Sequence, residues 1–259
     1  MWKVGLLFET LKDMKSPAEI QVLVVDDDID LLDMIKDLFS GYGFTVFAAL
    51  NGVAALKFID ENKIDIVLTD IRMPQMYGVE LLKNLRERDR NHPCVLMTSG
   101  YADVSAAELF SFGANGFFQK PFNLAAVRDS LYKALLTKDD QWKIKQAGNF
   151  EHKIGRPFAD FNELTKSDMV KFGNGGFFFQ QKNPTAKVNE GVSFKFKFDD
   201  STFLDKMEGT GIVRWVKIID SPQNSAGIGI EIKSLSDGCR SKVCAWLDEQ
   251  SFKSFIPLV

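Results

Sequence analysis

Residues 66–74 read IVLTDIRMP, an apolar, β-branched run that ends in Asp70 and is followed at once by turn residues. Three other runs have the same form: VLVV at 22–25 precedes three aspartates, VLM at 95–97 precedes Thr98, and GFFQ at 116–119 precedes Lys120. Short apolar runs bounded by turn residues are typical of strands buried on both faces of a parallel sheet. The sequence therefore predicts a parallel sheet in the first half of the chain.

Amphipathic stretches separate and follow these runs. They cover residues 29–40, 53–61, 79–88, 105–112 and 124–136. Alternation of strand and helix predicts a doubly wound α/β fold with right-handed crossovers. In such a fold the carboxyl ends of the strands meet at one edge of the sheet, and this edge carries the site.

Five polar side chains are predicted to meet at that edge: Asp26, Asp27, Asp70, Thr98 and Lys120. Clustered carboxylates suit Mg²⁺, which also relieves their mutual repulsion. A carboxylate can act as a nucleophile and form an aspartyl phosphate. Lys120 would supply a positive charge for the phosphoryl oxygens, and Thr98 would supply a hydroxyl donor.

A simpler interpretation applies to single residues of this kind. One carboxylate after a strand is most often a helix N-cap or a loop residue, and we assign Asp28 and Asp30 to that class. It does not account for the five together, because one solvated loop does not explain polar side chains at four strand ends.

Residues 20–137 resemble the receiver domain of bacterial two-component response regulators. The motifs that carry the resemblance are VVDD at 24–27, TDIRMP at 69–74, MTSGY at 97–101 and FQKPF at 118–122. The resemblance implies a five-stranded, flavodoxin-like sheet and phosphorylation of Asp70 by a histidine kinase. It also implies that Asp26, Asp27, Asp70 and the backbone carbonyl of Arg72 hold Mg²⁺.

The same resemblance assigns roles to the other residues at that edge. Lys120 and Thr98 would contact the phosphoryl group, and Phe117 would reorient together with Thr98 on activation. The Lys120–Pro121 peptide bond is expected to be cis. A receiver catalyses only its own phosphorylation and dephosphorylation, so we do not expect a further enzymatic activity.

Length and composition indicate a globular protein of two domains. The chain has 259 residues, of which 45% are hydrophobic and 26% are charged. We predict an N-terminal arm at 1–18, a receiver at 19–137, a linker or extended helix at 138–149 and a second domain at 150–259. With no membrane span, a poor signal peptide and only three cysteines, the chain is expected to be cytoplasmic.

Charge is divided unevenly between the two halves. Residues 19–137 contain 11 Lys and Arg against 17 Asp and Glu, whereas residues 138–259 contain 18 against 16. The predicted site accounts for the acidity of the first half. The second half is too nearly balanced for a strongly basic nucleic-acid arm.

In the second half the hydrophobic period changes to two. Residues 192–198 read VSFKFKF, so Phe and Lys fall on opposite faces of a predicted strand. Further strands opened by glycine are predicted at 175–179, 211–216 and 227–232, followed by a helix at about 237–250. Several short strands closed by a helix favour a small antiparallel barrel. Because the Phe face is needed for the core, stacking on single-stranded nucleic acid is not expected.

Residues 150–250 resemble a PilZ domain through GGFF at 175–178, EGV at 190–192 and the strands that follow. PilZ domains typically bind cyclic di-GMP through an Arg-x-x-x-Arg pair and an Asp/Asn-x-Ser-x-x-Gly motif. This chain has Lys171 and Gly173 at the acidic and serine positions. It has no Arg-x-x-x-Arg pair after residue 137, where the arginines are Arg156, Arg214 and Arg240.

The sequence leaves two functions open for the second domain. In the favoured one, a degenerate PilZ-like domain acts through protein–protein contacts, including a possible homodimer, under the control of Asp70. In the alternative, the protein is a phosphorylation-gated cyclic di-GMP receptor with unconventional ligands. The candidate ligands are then Lys143, Lys145, Lys153 and Arg156, although these four also fit a solvated edge.

Overall fold

A computed structural model describes residues 16–100, 105–134, 136–143, 150, 152–218 and 225–257. The chain forms two compact units. The N-terminal unit comprises residues 1–104 and 114–140, and the C-terminal unit comprises residues 105–113 and 141–259. The predicted N-terminal arm lies outside the described residues except at its end, where Pro17–Glu19 form a 3₁₀ turn.

The first part of the chain alternates strands and helices as predicted. The elements are β1 (Gln21–Val25), α1 (Ile29–Gly41), β2 (Thr45–Ala49), α2 (Gly52–Glu61), β3 (Ile66–Asp70), α3 (Gly78–Arg88), β4 (Cys94–Ser99), α4 (Ala106–Ser111), β5 (Gly116–Gln119), α5 (Leu124–Ala134) and α6 (Lys138–Lys143).

The five strands form one parallel sheet in the order β2-β1-β3-β4-β5. This confirms the doubly wound, flavodoxin-like sheet expected from the sequence. All five residues of β3 are buried, as expected for a central strand that is covered on both faces. One core cluster contains apolar side chains of β1, β3 and β4 together with those of α1 and α5. The sheet is therefore a rigid platform for the residues at its carboxyl edge.

Local hydrogen bonds fix where the helices begin and end. The Asp28 carboxylate accepts a hydrogen bond from the amide of Leu31, so Asp28 is the N-cap of α1 as predicted. α5 ends at Ala134. At the start of α6, the hydroxyl of Thr137 accepts a hydrogen bond from the amide of Asp140. The structure thus has two separate helices where the sequence left open one extended helix.

The second part of the chain is rich in strands. Its elements are β6 (His152–Ile154), β7 (Pro157–Phe158), α7 (Phe161–Lys166), β8 (Val170–Phe172), β9 (Gly176–Gln180), β10 (Gly191–Phe198), β11 (Lys206–Lys217), β12 (Gly227–Leu235) and α8 (Asp237–Glu249).

These strands form a seven-stranded sheet in the order β6-β10-β11-β12-β9-β8, with β7 also paired to β10. The pairs from β10 to β8 are antiparallel, whereas β6 and β7 run parallel to β10. In the described residues the path ends at β6 and β8, so hydrogen bonds do not close it into a ring. The predicted alternation in β10 is confirmed, because its four apolar side chains are buried and its lysines are exposed.

Aromatic side chains dominate the core of the C-terminal unit. Phe177 packs edge-on against Phe194 and Phe196, with ring centroids 5.1 and 5.8 Å apart. α8 adds Val243 and Leu247 to the same cluster. Across all described residues, no helix is long and apolar enough to cross a membrane.

Candidate functional site

Four of the predicted site residues lie at the carboxyl edge of the parallel sheet. Asp26 follows β1, Asp70 is the last residue of β3, Thr98 lies near the end of β4 and Lys120 follows β5. Asp70 pairs in register with Thr98 across β3 and β4. The parallel register therefore brings together side chains that are up to 94 residues apart in sequence.

One ammonium group joins the two buried carboxylates. Lys120 Nζ lies 2.7 Å from Asp26 Oδ2 and 2.7 Å from Asp70 Oδ1. Asp26 is 4% exposed and Asp70 is 7% exposed, so both carboxylates are largely desolvated. Like charges this close and this poorly hydrated need a shared counterion. Lys120 supplies that counterion from the end of β5.

The second oxygen of Asp70 is also held. Asp70 Oδ2 accepts a hydrogen bond from the amide of Arg72 at 2.6 Å. Burial raises the pKa of Asp70 above its ordinary value, although Lys120 and the Arg72 amide act in the opposite direction. Burial alone would lower the pKa of Lys120, but its bonds to Asp26 and Asp70 raise it above the usual range. Lys120 is therefore a permanent cation at neutral pH.

Asp27 lies beside this pair but is exposed. It lines a cleft of about 530 Å³ with Arg72, Tyr77 and Glu80. The turn that forms the cleft follows Asp70 and includes Gln75, whose φ of 70° places it in the left-handed region. Solvent thus reaches the site from the side of Asp27.

The donor set fits a magnesium ion. Within the described ranges, no group of three or more acidic, imidazole or thiol side chains is arranged to hold a metal on its own. Mg²⁺ does not need such a cage, since it commonly binds one or two carboxylates, keeps several waters and takes further ligands from phosphate. Asp26 and Asp70 provide two buried carboxylates beside an accessible cleft.

The two residues predicted to switch occupy different environments. Thr98 is buried, and its hydroxyl donates to the carbonyl of Thr69 at 3.3 Å. Phe117 is half-buried on β5 and pairs with Met97 of β4. The Lys120–Pro121 peptide bond is cis, as predicted.

Two contributors to the site were missed by the sequence analysis. Gly78 begins α3 so close to β3 that a Cβ atom would lie 2.1 Å from the carbonyl oxygen of Asp70. Thr69 donates its hydroxyl to the same carbonyl at 2.9 Å. A glycine at the first position of a helix after the IVLTD run was the available signal for Gly78.

Exposed apolar side chains near the carboxyl edge of the sheet, which we call the apolar rim, were also not predicted. Its members are large hydrophobic side chains that are 47–60% exposed at or just before the start of the helices that follow β1, β2 and β3: Ile29, Leu50, Val53 and Tyr77. Met34 of α1 is 50% exposed. All four rim side chains come shortly after strands whose carboxyl ends lie at the same edge of the sheet as Asp70.

The proposed cyclic di-GMP ligands occupy unrelated settings in the C-terminal unit. Lys145 lies outside the described residues. Lys143 is exposed at the end of α6. Lys153 lines a cleft of about 510 Å³ on the sheet. The guanidinium of Arg156 lies over the ring of Phe158, 5.1 Å from its centroid.

Comparison with known proteins points to one family for the N-terminal half. A family model for the response regulator receiver domain matches residues 22–132. Sporulation initiation phosphotransferase F of Bacillus subtilis is 32% identical over 121 residues, which cover 46% of this chain and 97% of that protein. Transcriptional regulatory protein ZraR of Klebsiella oxytoca is 35% identical over 120 residues, which cover 46% of this chain and 27% of that protein.

Among solved structures, the receiver domain of the Francisella response regulator 1452 is 33% identical, with a TM-score of 0.41. The match covers 44% of this chain and 97% of that chain. The chain thus spans little more than a quarter of the length of ZraR.

Proposed function

The chain belongs to the response regulator receiver family, and from that membership we propose that Asp70 accepts a phosphoryl group from a histidine kinase or a phosphotransfer protein. The observation that carries this proposal is the pair of buried carboxylates bridged by Lys120 at 2.7 Å on each side. Such a site holds one ionised nucleophile, one neighbouring carboxylate and one positive charge that contacts both.

The transfer step is a displacement at phosphorus. An oxygen of Asp70 attacks the phosphorus of the phosphohistidine, the new P–O bond forms as the P–N bond breaks, and the imidazole leaves with the bonding electrons and takes up a proton. Lys120 and the amide of Arg72 keep Asp70 ionised and oriented before the attack. After it, Lys120 is placed to contact the phosphoryl oxygens.

Magnesium would be held by Asp26, Asp27 and Asp70 together with the backbone carbonyl of Arg72. When bound, the ion neutralises negative charge on the phosphoryl group as it is transferred. Each oxygen of Asp26 accepts one hydrogen bond, from the amide of Asp28 at 3.1 Å and from Lys120 at 2.7 Å, and its second lone pair could still bind the ion.

Activation would involve Thr98 and Phe117. For its hydroxyl to donate to a phosphoryl oxygen on Asp70, Thr98 must give up its bond to the carbonyl of Thr69. Phe117 lies on the neighbouring strand β5, and its half-buried ring would reorient when the side chain of Thr98 moves. A charge added at Asp70 would thus be converted into a rearrangement of β4 and β5.

The phosphodonor would dock on the apolar rim. Ile29, Leu50, Val53 and Tyr77 lie at the sheet edge where Asp70 must meet the donor histidine. Their removal should slow transfer from a protein donor but leave phosphorylation by a small donor unchanged. The thiols of Cys94, Cys239 and Cys244 are compatible with the reducing cytoplasm in which the protein would act.

We further propose that the C-terminal unit is a PilZ-like output domain that acts through protein–protein contacts, including a possible homodimer. The strand and helix order of the resemblance supports this proposal, and Lys171 and Gly173 at the ligand positions argue against ordinary cyclic di-GMP binding. Calorimetric titration with cyclic di-GMP tests it. Micromolar binding that is lost when Lys153 and Arg156 are replaced would favour the nucleotide receptor instead.

Mass spectrometry tests the phosphorylation site. Incubation with Mg²⁺ and acetyl phosphate should add one phosphoryl group to the parent protein and none to Asp70→Asn. The control is Asp30→Asn, which changes a carboxylate in the first turn of α1 and should be phosphorylated normally. Undiminished phosphorylation of Asp70→Asn would refute the assignment.

A further inference from the structure

The turn before β9 forms a slot, which we define as residues Gly173, Asn174 and Gly175. Hydrogen bonds fix its backbone to the sheet of the C-terminal unit. The amide of Gly173 donates to the carbonyl of Gly176 at 2.8 Å, and the amide of Ile232 donates to the carbonyl of Gly175 at 2.9 Å. Asn174 is 8% exposed. The slot is therefore held in one conformation by β9 and β12.

The C-terminal tail, which we define as residues 251–257, lies in this slot. The amide of Asn174 donates to the carbonyl of Ser254 at 2.8 Å, and the amide of Gly175 donates to that of Phe255 at 2.9 Å. The side chain of Asn174 donates to a third tail carbonyl at 2.6 Å. Hydrogen bonds to the main chain of an extended segment supply affinity in several modes of peptide recognition. The slot contacts the tail in this way.

The glycines of the slot are what allows the tail to approach. A Cβ atom on Gly175 would lie 1.9 Å from the ring of Phe255, and one on Gly173 would lie 2.6 Å from the carbonyl oxygen of Ser254. Gly173 stands at the serine position of the PilZ ligand motif, so a serine there would collide with the tail. The departure from the motif and the seat of the tail are thus one feature of the structure.

The sheet face beside Lys171, the acidic position of that motif, is covered by aromatic rings of the chain itself. Lys171 pairs with Phe178, Phe178 pairs with Gly229, and Gly229 pairs with Trp215 on four neighbouring strands. The rings of Phe178 and Trp215 stack 5.3 Å apart and are 0% and 5% exposed. Bases commonly bind proteins by stacking on accessible aromatic rings. This face offers no such ring to a nucleotide.

The tail is attached to the C-terminal unit at the edge of its core. Among the described residues, the buried side chains of the core cluster end at Leu247 of α8, and Phe252 only packs against their edge. Within residues 251–257, all of which the structure describes, no helix or strand forms and Ile256 alone is fully buried. The tail can therefore leave the slot without opening the core.

From these contacts we propose that the slot is a binding site for an extended peptide that carries a phenylalanine, and that the tail is its occupant within a single chain. This inference deepens the proposed action of the C-terminal unit through protein contacts and rests on it. The fixed amides of the slot bind main-chain carbonyls, and Gly175 makes room for the aromatic ring. A partner protein with such a segment would bind here by displacing the tail.

Fluorescence anisotropy of a labelled peptide with the sequence of residues 251–257 tests the slot in the full-length chain. In the parent chain the tail competes with the peptide at an effective concentration on the order of millimolar. Phe255→Ala in the chain weakens this competitor. The variant should therefore bind the peptide at least about tenfold more tightly than the parent does, because a buried phenylalanine ring contributes at least that factor. The same substitution in the peptide should weaken its binding by a similar factor.

Two further variants of the Phe255→Ala chain separate the slot from its surroundings. Gly175→Ala fills the slot with a Cβ atom and should abolish peptide binding. The control is Gly238→Ala, where nothing lies within 4 Å of the new atom, and it should bind the peptide as before. Gly175→Ala is needed because the ring of Phe255 also lies 5.9 Å from that of Phe110. Lys253→Ala in the peptide changes an exposed side chain and should not alter binding.

Hydrogen exchange read by mass spectrometry tests the slot without added peptide. In the otherwise unchanged chain, Gly175→Ala should raise exchange in residues 251–257 at least several-fold, because the tail loses its seat. Gly238→Ala should leave exchange in those residues unchanged.

The possible failures can be told apart, and circular dichroism shows whether each variant is folded. A folded Phe255→Ala chain that does not bind the peptide would overturn the slot alone, as would unchanged exchange of the tail in Gly175→Ala. A dimer of the parent chain that dissociates when peptide is added would show that the tail of a second copy is the occupant, against occupancy within one chain. Micromolar binding of cyclic di-GMP to the parent chain would overturn the proposed protein-contact function and the slot with it.

Discussion

Replacing Lys120 by Met removes the only positive charge that bridges Asp26 and Asp70 among the described contacts. The methionine side chain keeps most of the volume, so the change is mainly electrostatic. Two carboxylates that are 4% and 7% exposed then face each other without a counterion. We expect the variant to fold, but with lower stability at neutral pH.

The size of the expected loss of stability follows from how deeply the ion pairs of Lys120 are buried. Removing one partner of a buried ion pair costs about 3–5 kcal/mol because the other charge is left uncompensated. The Lys120 side chain is 25% exposed, so water already screens part of its interaction. We therefore expect the free energy of unfolding to fall by about 2–3 kcal/mol at neutral pH.

The loss of stability in Lys120→Met should depend on pH and on Mg²⁺. Burial raises the pKa of Asp70 in the parent, and loss of the ammonium should raise it further. A carboxyl with a higher pKa in the folded than in the unfolded chain binds its proton more tightly when folded, so acidification stabilises the folded state. The difference between variant and parent should thus shrink as the pH falls. Mg²⁺ should stabilise the variant more than the parent, because it replaces the missing charge.

Urea denaturation followed by far-ultraviolet circular dichroism measures these differences. The control is Lys63→Met, the same substitution at an exposed position, which should change stability by less than about 0.5 kcal/mol. The reasoning is refuted if Lys120→Met is as stable as Lys63→Met at neutral pH. It is also refuted if Mg²⁺ stabilises the variant and the parent equally.

Two further predictions concern the same unit. Gly78→Ala should lower stability by about 1–3 kcal/mol in urea denaturation and slow phosphorylation of Asp70, since its Cβ would lie 2.1 Å from the Asp70 carbonyl oxygen. Gly41→Ala, where nothing lies within 4 Å of the new atom, should have neither effect. Burial raises the pKa of Cys94 to about 12, so iodoacetamide should alkylate this thiol much more slowly in the folded than in the unfolded protein. Equal rates, measured by peptide mass spectrometry, would contradict that prediction.

The parallel sheet could be predicted because strands that are buried on both faces appear in the sequence as short, continuous apolar runs. The run at residues 66–70 is wholly buried and coincides with β3, and its last residue is the central carboxylate of the site. The rule that parallel strands share a carboxyl edge was then enough to place Lys120 beside Asp26 and Asp70. Long-range contacts were predictable here because topology, and not side-chain detail, determines them.

Close approaches could not be predicted in the same way. Gly78 and Gly175 are each required by a close approach of another part of the chain, the Asp70 carbonyl in one case and the Phe255 ring in the other. The sequence shows the glycine but not the atom that needs the space. For this reason Gly175 was interpreted only as the opening of a strand and as part of the PilZ resemblance, with no contact to Phe255 expected.

The placement of α4 illustrates the same limit at the level of a whole element. An amphipathic stretch shows that one face of a helix will be buried, but its pattern does not identify the core that buries it. Residues 105–112 were assigned to the receiver because of their position between β4 and β5. The receiver family model includes these residues, yet by their contacts residues 105–113 group with the C-terminal unit, where the amide of Phe255 donates to the carbonyl of Phe110.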